Sequence, residues 1–393
     1  MSVTIGRREL LAALGGAAAW PLAGRAQQAD RAGDRVSAAT TANSLLTISP
    51  GREFTSNAWC HRRLAPDAAI DPNSSNIVQT LRTAVSNSGP LYNNLSGFIW
   101  YVPAGVPTVP VEVVVGDGTF TPATGAWADQ LRQQFAQCPL SPNFIPGPGS
   151  DRNGVIYQPS THQYWEGWQF IKTGRQVRNS VGQMVDQWSI VWGGYWADLR
   201  TSDGTGAPQP PSGIKPGLSA SGIPALANMI TLGDLKQQAI NHPVGLVIPA
   251  GTARSDVWNN PPAWRCDGYP PQFDPNAVPE GAIFRLPANL DLNQYTATAW
   301  DGVSVKTMPR IVAEAAQNHG FVVTDQGGGW IMAGESPYDY SSDGGAVIEQ
   351  DPILSQVFGA SHPWGYDYGA IGQELTAFPW DKLQLLKMNL VNG

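Results

Sequence analysis

Cysteine, charge and long apolar runs are all scarce in this sequence. Its three cysteines, Cys60, Cys138 and Cys266, lie far apart and match no Cys/His metal spacing. That excludes a zinc-stapled or disulfide-dense scaffold and leaves at most one bridge, with three possible pairings. Charged residues are 14% of the chain, and 24 Lys+Arg stand against 31 Asp+Glu for a net charge of −7. A nucleic-acid binder needs a basic surplus to neutralise phosphates, so that class is excluded. Beyond the N-terminal region no stretch reaches the roughly 18 uninterrupted apolar residues of a span, so the mature chain should not cross a membrane. Neither GxGxxG nor GxxxxGK[ST] occurs, which leaves nucleotide cofactors without support. HExxH is missing, and His61, His162, His319 and His362 form no ligand spacing, so no metal is expected. GxSxG is missing too, against an α/β-hydrolase esterase. No cofactor is expected.

What the chain does have is 43 glycines, 33 prolines, 15 tryptophans and 42% hydrophobic residues in 393. Apolar content of that order rules out a disordered chain, and so much Gly and Pro rules out a coiled coil. The N-terminus carries Arg7-Arg8, an apolar run from Leu10 to Leu22, and small Gly24 and Ala26. Residues 1–26 therefore read as a twin-arginine-type export signal, which predicts a bacterial periplasmic or extracellular protein. Residues 27–49 lack aromatics and read as a flexible tether. Residues 50–393 are expected to form one β-rich globular domain, ordered from about Phe54.

Strand-like runs recur between Gly, Pro, Asn and Asp: Gly97–Val102, Val109–Val115, Gly154–Gln158, Gln163–Ile171, Gln187–Trp192, Val244–Ile248, Ile283–Leu286, Phe321–Thr324 and Trp330–Ala333. Three helices interrupt them. Ala126–Gln137 has Trp127, Leu131 and Phe135 at helical spacing, and Thr231–Ala239 opens on a capping-box-like Thr231/Asp234 pair. Met308–His319 has Thr307 as N-cap, Pro309 in its first turn and Gly320 past its end. No repeat of fixed period is visible. The predicted fold is mainly β, a β-sandwich or jelly roll with a few short packed helices.

The most informative segment runs from Gln163 to Asp198 and includes QYWEGW and DQWSIVW. Period-2 alternation puts Tyr164, Glu166, Trp168 and Phe170 on one face of a strand, and Asp186, Trp188, Ile190 and Trp192 on one face of another. If the two strands are neighbours, one surface holds two carboxylates among aromatic rings. Indoles stack on the apolar face of a pyranose and paired carboxylates do acid–base work on glycosidic bonds. Trp165, Trp168, Trp188 and Trp192 are candidate sugar platforms, with Glu166 and Asp186 as the carboxylate pair. Alternation does not say which face is wet, so sandwich core is the competing reading of the same rings. The fourteen residues Lys172–Val185 leave the register of the pair open.

His242, between a capped helix and a strand, is a candidate base or a satisfied interior side chain. The turn Trp264-Arg265-Cys266-Asp267-Gly268 is a candidate substrate clamp through Arg265 and Asp267, or an ion-paired loop. Arg285 and Asp291 read as structural. Asp339, Ser341, Asp343 and Gly344 begin like a calcium loop, but the twelfth position is Gln350 instead of Glu.

MITLGDLKQQAINHPVGLVIP, the Trp264–Gly268 turn, VPEGAIFRLPANLDL and AEAAQNHGFVVTDQGGG, together with the upstream YWEGW, resemble a group of uncharacterised secreted bacterial proteins with no established activity. The resemblance covers a third to a half of the chain. It implies that Glu166, His242, Arg265, Asp267 and Arg285 belong to one site. Asn153 departs from the pattern, since the group carries a His after Asp-Arg at that point.

The functional expectation is a secreted glycoside hydrolase acting on a polysaccharide or oligosaccharide through Glu166 and Asp186. A non-catalytic glycan-binding or envelope protein is the first alternative. A polysaccharide lyase is the second, with His242 or Tyr164 as base and Arg265 against a uronate carboxylate.

Overall fold

The structure is a computed structural model that describes residues 53–85, 90–97, 99–116, 118–141, 144–147, 150–268, 274–298, 304–327, 329–335, 375 and 377–392. The predicted signal and tether, the Asp339–Gly344 loop, Gln350 and His362 lie outside the described residues.

The fold is mainly β, sandwich-like, with short packed helices. Its centre is a four-stranded sheet in the order Ile99–Tyr101, Gly154–Gln158, Gln163–Trp168, Trp192–Trp196. Alternation sends its side chains into two different cores, so both faces are covered. Trp100, Ile156 and Trp165 pack on one side with Val113, Trp188 and Ile190 of a three-stranded sheet, and with Leu131 and Phe135 from helix Ala126–Gln134 and its C-cap. Ile99, Tyr101, Val155, Tyr157 and Tyr164 pack on the other with Leu226, Met229 and Val322. Each such side chain contributes about 1.5–3 kcal/mol when fully buried.

Val322 belongs to strand Phe321–Gly327 in a six-stranded sheet that also contains Val244–Pro249, Ile283–Arg285 and Trp330–Glu335. Helices Ser74–Val85 and Met308–Asn318 share a core with that sheet. Helix Ser74–Val85 was not among the sequence expectations. Several neighbours are parallel, including Phe321–Gly327 with Val244–Pro249 and Ile99–Tyr101 with Gly154–Gln158. Parallel pairs need crossover connections, which explains why helices and long loops lie between the strands.

Two predicted strands break in the middle. The run Gln163–Ile171 is two strands, Gln163–Trp168 and Ile171–Arg178, because Gln169 takes φ +59° and turns the chain between them. The run Gln187–Trp192 likewise divides into Met184–Ile190 and Trp192–Trp196. Most of the supposed connection Lys172–Val185 is itself strand, paired antiparallel in a hairpin with Gln176 opposite Asp186. The hairpin joins Glu112–Val113 in the three-stranded sheet, while the flanking strands stay in the four-stranded one.

Cys60, Cys138 and Cys266 are all free. Burial pushes the Cys60 and Cys266 thiols up to about 12, so neither is a poised thiolate. Among the described residues, no helix is long and apolar enough to cross a membrane.

Candidate functional site

Glu166 sits opposite Val155 on one neighbouring strand and Gly194 on the other. As alternation predicted, it shares a face with Tyr164, and that face is covered: both residues have no exposed surface. Its Oε1 accepts the Leu218 N–H at 2.8 Å, and its Oε2 accepts the Ala225 N–H at 2.8 Å and the Tyr164 hydroxyl. Gly194 makes room for this arrangement, since a Cβ there would stand 2.7 Å from the Gly217 nitrogen. Burial pushes the Glu166 carboxyl up to about 7, even though Tyr164, the two amides and the Arg265 charge all favour its ionised form.

Asp186 is placed quite differently. It lies exposed on the hairpin, 2.7 Å from Lys172 Nζ and 2.5 Å from Gln176 Nε2, and Lys172 holds it below the usual carboxylate range. The expected Glu166–Asp186 pair therefore does not form: the left-handed turn at Gln169 puts the two carboxylates in different sheets, one buried and one wet. Asp186→Asn should leave both the melting temperature and any turnover unchanged, because a screened surface pair contributes little. Thermal melts with an activity assay check this.

The tryptophans divide in the same way. Trp165 (2% exposed) and Trp188 (8%) are core, Trp165 donating to Gln134 O and Trp188 packing edge-on to Phe144. Neither offers a face to a sugar. Trp168 is half-buried and donates to Asp151. Trp192, also half-buried, packs on Trp127 with the Arg265 guanidinium 5.1 Å from its ring centre.

His242 is fully enclosed. Its Nδ1 faces Pro243 O at 2.8 Å and its Nε2 faces Asp234 Oδ2 at 3.0 Å. Both partners accept only, so both ring nitrogens carry protons and no lone pair is left for a base. Burial works against this charge, and the Asp234 carboxylate overrides it, holding His242 above its ordinary value. The same carboxylate closes the capping box on Thr231. Arg285 donates to Ala65 O, Pro66 O and Gln384, which ties the N-terminal segment to the six-stranded sheet. Asp291 accepts the Asn293 N–H in a turn. Of the five residues that the resemblance places in one site, Glu166 and Arg265 bond to one loop, Asp267 follows Arg265 by two residues, and His242 and Arg285 have separate structural partners.

That loop is Gly217–Ala225. Glu166 holds its Leu218 and Ala225 amides, and Arg265 Nη2 donates to Gly217 O at 2.7 Å and Ser219 O at 2.6 Å. Asp325 accepts the Ala220 N–H at 3.1 Å, while Ser221 exchanges backbone hydrogen bonds with Thr324 and Trp264. Arg265 is thus a loop clamp. Two residues on, the Asp267 amide points at Glu280 Oε1 (3.4 Å), and the Asp267 carboxyl lies close enough for its charge to act on the Glu280 side chain.

Glu280 ends the short buried strand Val278–Glu280 and has no exposed surface. Gly281 follows with φ +78°, where a Cβ would come 2.4 Å from Asn259 O. Glu280 Oε2 meets no N–H or hydroxyl donor. Burial first, then the nearby Asp267 and Asp325 charges, hold its carboxyl well above the ordinary range. Burial and the like charges beside it favour the protonated form of Glu280. Asp267 and Asp325 are half-buried, with Asp267 Oδ1 itself enclosed.

Sequence reasoning singled out Asp267 and missed Glu280 and Asp325. The available signal was a lone carboxylate in the Pro279-Glu280-Gly281 turn after an apolar strand; no spacing links positions 267, 280 and 325. Among the described residues, no group of three or more His, Cys, Asp or Glu is arranged to hold a metal ion. No family model matches the chain, and no curated protein or solved structure matches it.

Proposed function

We propose that the protein is an exported glycoside hydrolase whose acid–base centre is the Asp267–Glu280 carboxyl pair with Asp325, in place of Glu166 and Asp186. The observation that carries this reading is a fully buried carboxyl that accepts from the amide of a half-buried aspartate, under the charges of that aspartate and of a third carboxylate. Such a pair keeps a proton available at neutral pH, which is the requirement for general acid catalysis. In the proposed step Glu280 supplies a proton that passes through Asp267 to the leaving glycosidic oxygen. Asp325 takes a proton from the attacking water, whose oxygen bonds to the anomeric carbon as the old C–O bond breaks. Proton exchange with solvent then restores both groups.

The lyase reading loses its residues. His242 has no free lone pair, Arg265 is committed to two carbonyls, and Tyr164 is buried with its hydroxyl on Glu166. Glycan binding without turnover remains the second reading, favoured by one fact: Glu280 has no surface of its own to present to a substrate.

The test is release of reducing ends from a panel of polysaccharides by the wild type and by Asp267→Asn. We expect a loss of about a thousandfold in kcat/KM from a variant that still melts cooperatively. Wild-type rates in the variant would overturn the reading. Retention on an insoluble glycan with no reducing ends released from any substrate would favour the binding protein.

A further inference from the structure

The Glu166 carboxylate is enclosed and fully bonded, yet it is not a remote structural ion. It grips the loop Gly217–Ala225 near both ends, at Leu218 and at Ala225. Between those two points the loop is held by the segments that carry the proposed acids. Arg265, two residues before Asp267, takes the carbonyls of Gly217 and Ser219. Asp325 takes the Ala220 amide, and Trp264 donates its amide to Ser221 O. The loop therefore has Glu166 on one side and the Asp267 and Asp325 segments on the other.

From this arrangement we infer that Glu166 is the positioning residue of the Asp267–Glu280 centre, acting through the Gly217–Ala225 loop and Arg265. The inference rests on the reading of that pair as the acid–base centre. Glu166 does its work only as a carboxylate, because both of its oxygens face N–H donors. Protonation removes the charge that strengthens both amide bonds and makes one oxygen a donor, which loosens its hold on the amide it faces. The ionisable groups that face Glu166 are Tyr164 from its own strand and Arg265 from the turn. Tyr164 is held well above its ordinary value by burial and by Glu166, so it stays neutral while Glu166 titrates. With Glu166 pushed up to about 7 by burial, the loop should be firmly held in mild alkali and slackened in mild acid.

Two measurements test this. In the wild type, amide exchange at Leu218 and Ala225, corrected for intrinsic rates, should lose about tenfold in protection between pH 8.5 and 5.5. The Ser221 amide, bonded to Thr324 O, should hold steady. In Glu166→Gln, kcat on the responsive glycan should fall about tenfold with KM within about twofold, and the kcat profile should lose its ionisation near 7. Flat protection at Leu218 and Ala225 across that range overturns the inference without any variant having to fold. So does a Glu166→Gln enzyme with wild-type kcat and pH profile while Asp267→Asn is inactive. If Asp267→Asn is fully active, it is the acid–base reading that falls, and with it the centre that Glu166 is inferred to position.

Discussion

Glu280→Gln is expected to make the protein more stable at neutral pH while removing its turnover. The folded-state pKa of Glu280 is raised by burial and by the Asp267 and Asp325 charges, whereas in the unfolded chain it is about 4.3. Below pH 4.3 the carboxyl is protonated in both states and the substitution changes little. As pH rises, the unfolded chain ionises and the folded one does not. Unfolding is then favoured by about 1.4 kcal/mol per pH unit until the folded pKa is reached. Glutamine never ionises, has nearly the same shape, and its amide can donate to Asp267, so it escapes that penalty. Urea midpoints should coincide near pH 4 and separate by pH 7, with the variant ahead by more than about 1 kcal/mol. Identical midpoints at both pH values would mean that Glu280 is ionised in the folded protein. The activity loss follows from the same fact, since an amide has no proton to pass to Asp267.

His242→Ala should be the most damaging single change to stability, with a loss of about 3–5 kcal/mol. Alanine leaves the Asp234 carboxylate buried without its cation, although Thr231 still donates to it. The folded pKa of His242 is raised, so its contribution is complete below its unfolded value of about 6.5 and fades as pH rises through the folded value. Burial alone would raise Asp234, but His242 and Thr231 reverse that and lower it. Its contribution is therefore complete above about 3.9 and fades as pH falls through the folded value. The gap between wild type and variant should be widest from about pH 4 to 6.5 and narrow on both sides. Denaturation series at pH 5.5 and pH 9 measure it. A gap of the same size at both would show that the imidazole is neutral and that the loss comes from packing alone.

Local signals in this chain were good guides to local structure. Strand Gly154–Gln158 appears with the bounds its β-branched run suggested, and helix Met308–Asn318 ends one residue before the expected His319, with Gly320 just beyond. The Thr231/Asp234 pair forms a full capping box, although its helix is only Leu232–Lys236. Such features depend on contacts within a few residues, which sequence spacing determines directly. The break at Gln169 was not legible, because a non-glycine residue with positive φ is imposed by its surroundings. Gln169 donates its amide to Asp151 O, and Phe170 donates to Arg152 O. That one turn separates Asp186 from Glu166 and undoes the carboxylate pair that alternation suggested.

By itself the sequence determined the mainly β architecture, the shared face of Tyr164 and Glu166, and the self-contained cap at Thr231. Each follows from a short-range period or a spacing of a few residues. Only the tertiary structure decided what covers those faces and which carboxyls are buried. Glu166 becomes a loop anchor through amides 52 and 59 residues away, and Asp325 joins the same loop across 105 residues. Asp267 meets Glu280 across two segments with no common motif. Charge state depends on desolvation and on neighbouring charges, both of which are properties of the assembled surroundings and not of the residue. Alternation can place a carboxylate on a face, but the chain packed against that face decides whether it is bonded, buried or free to react.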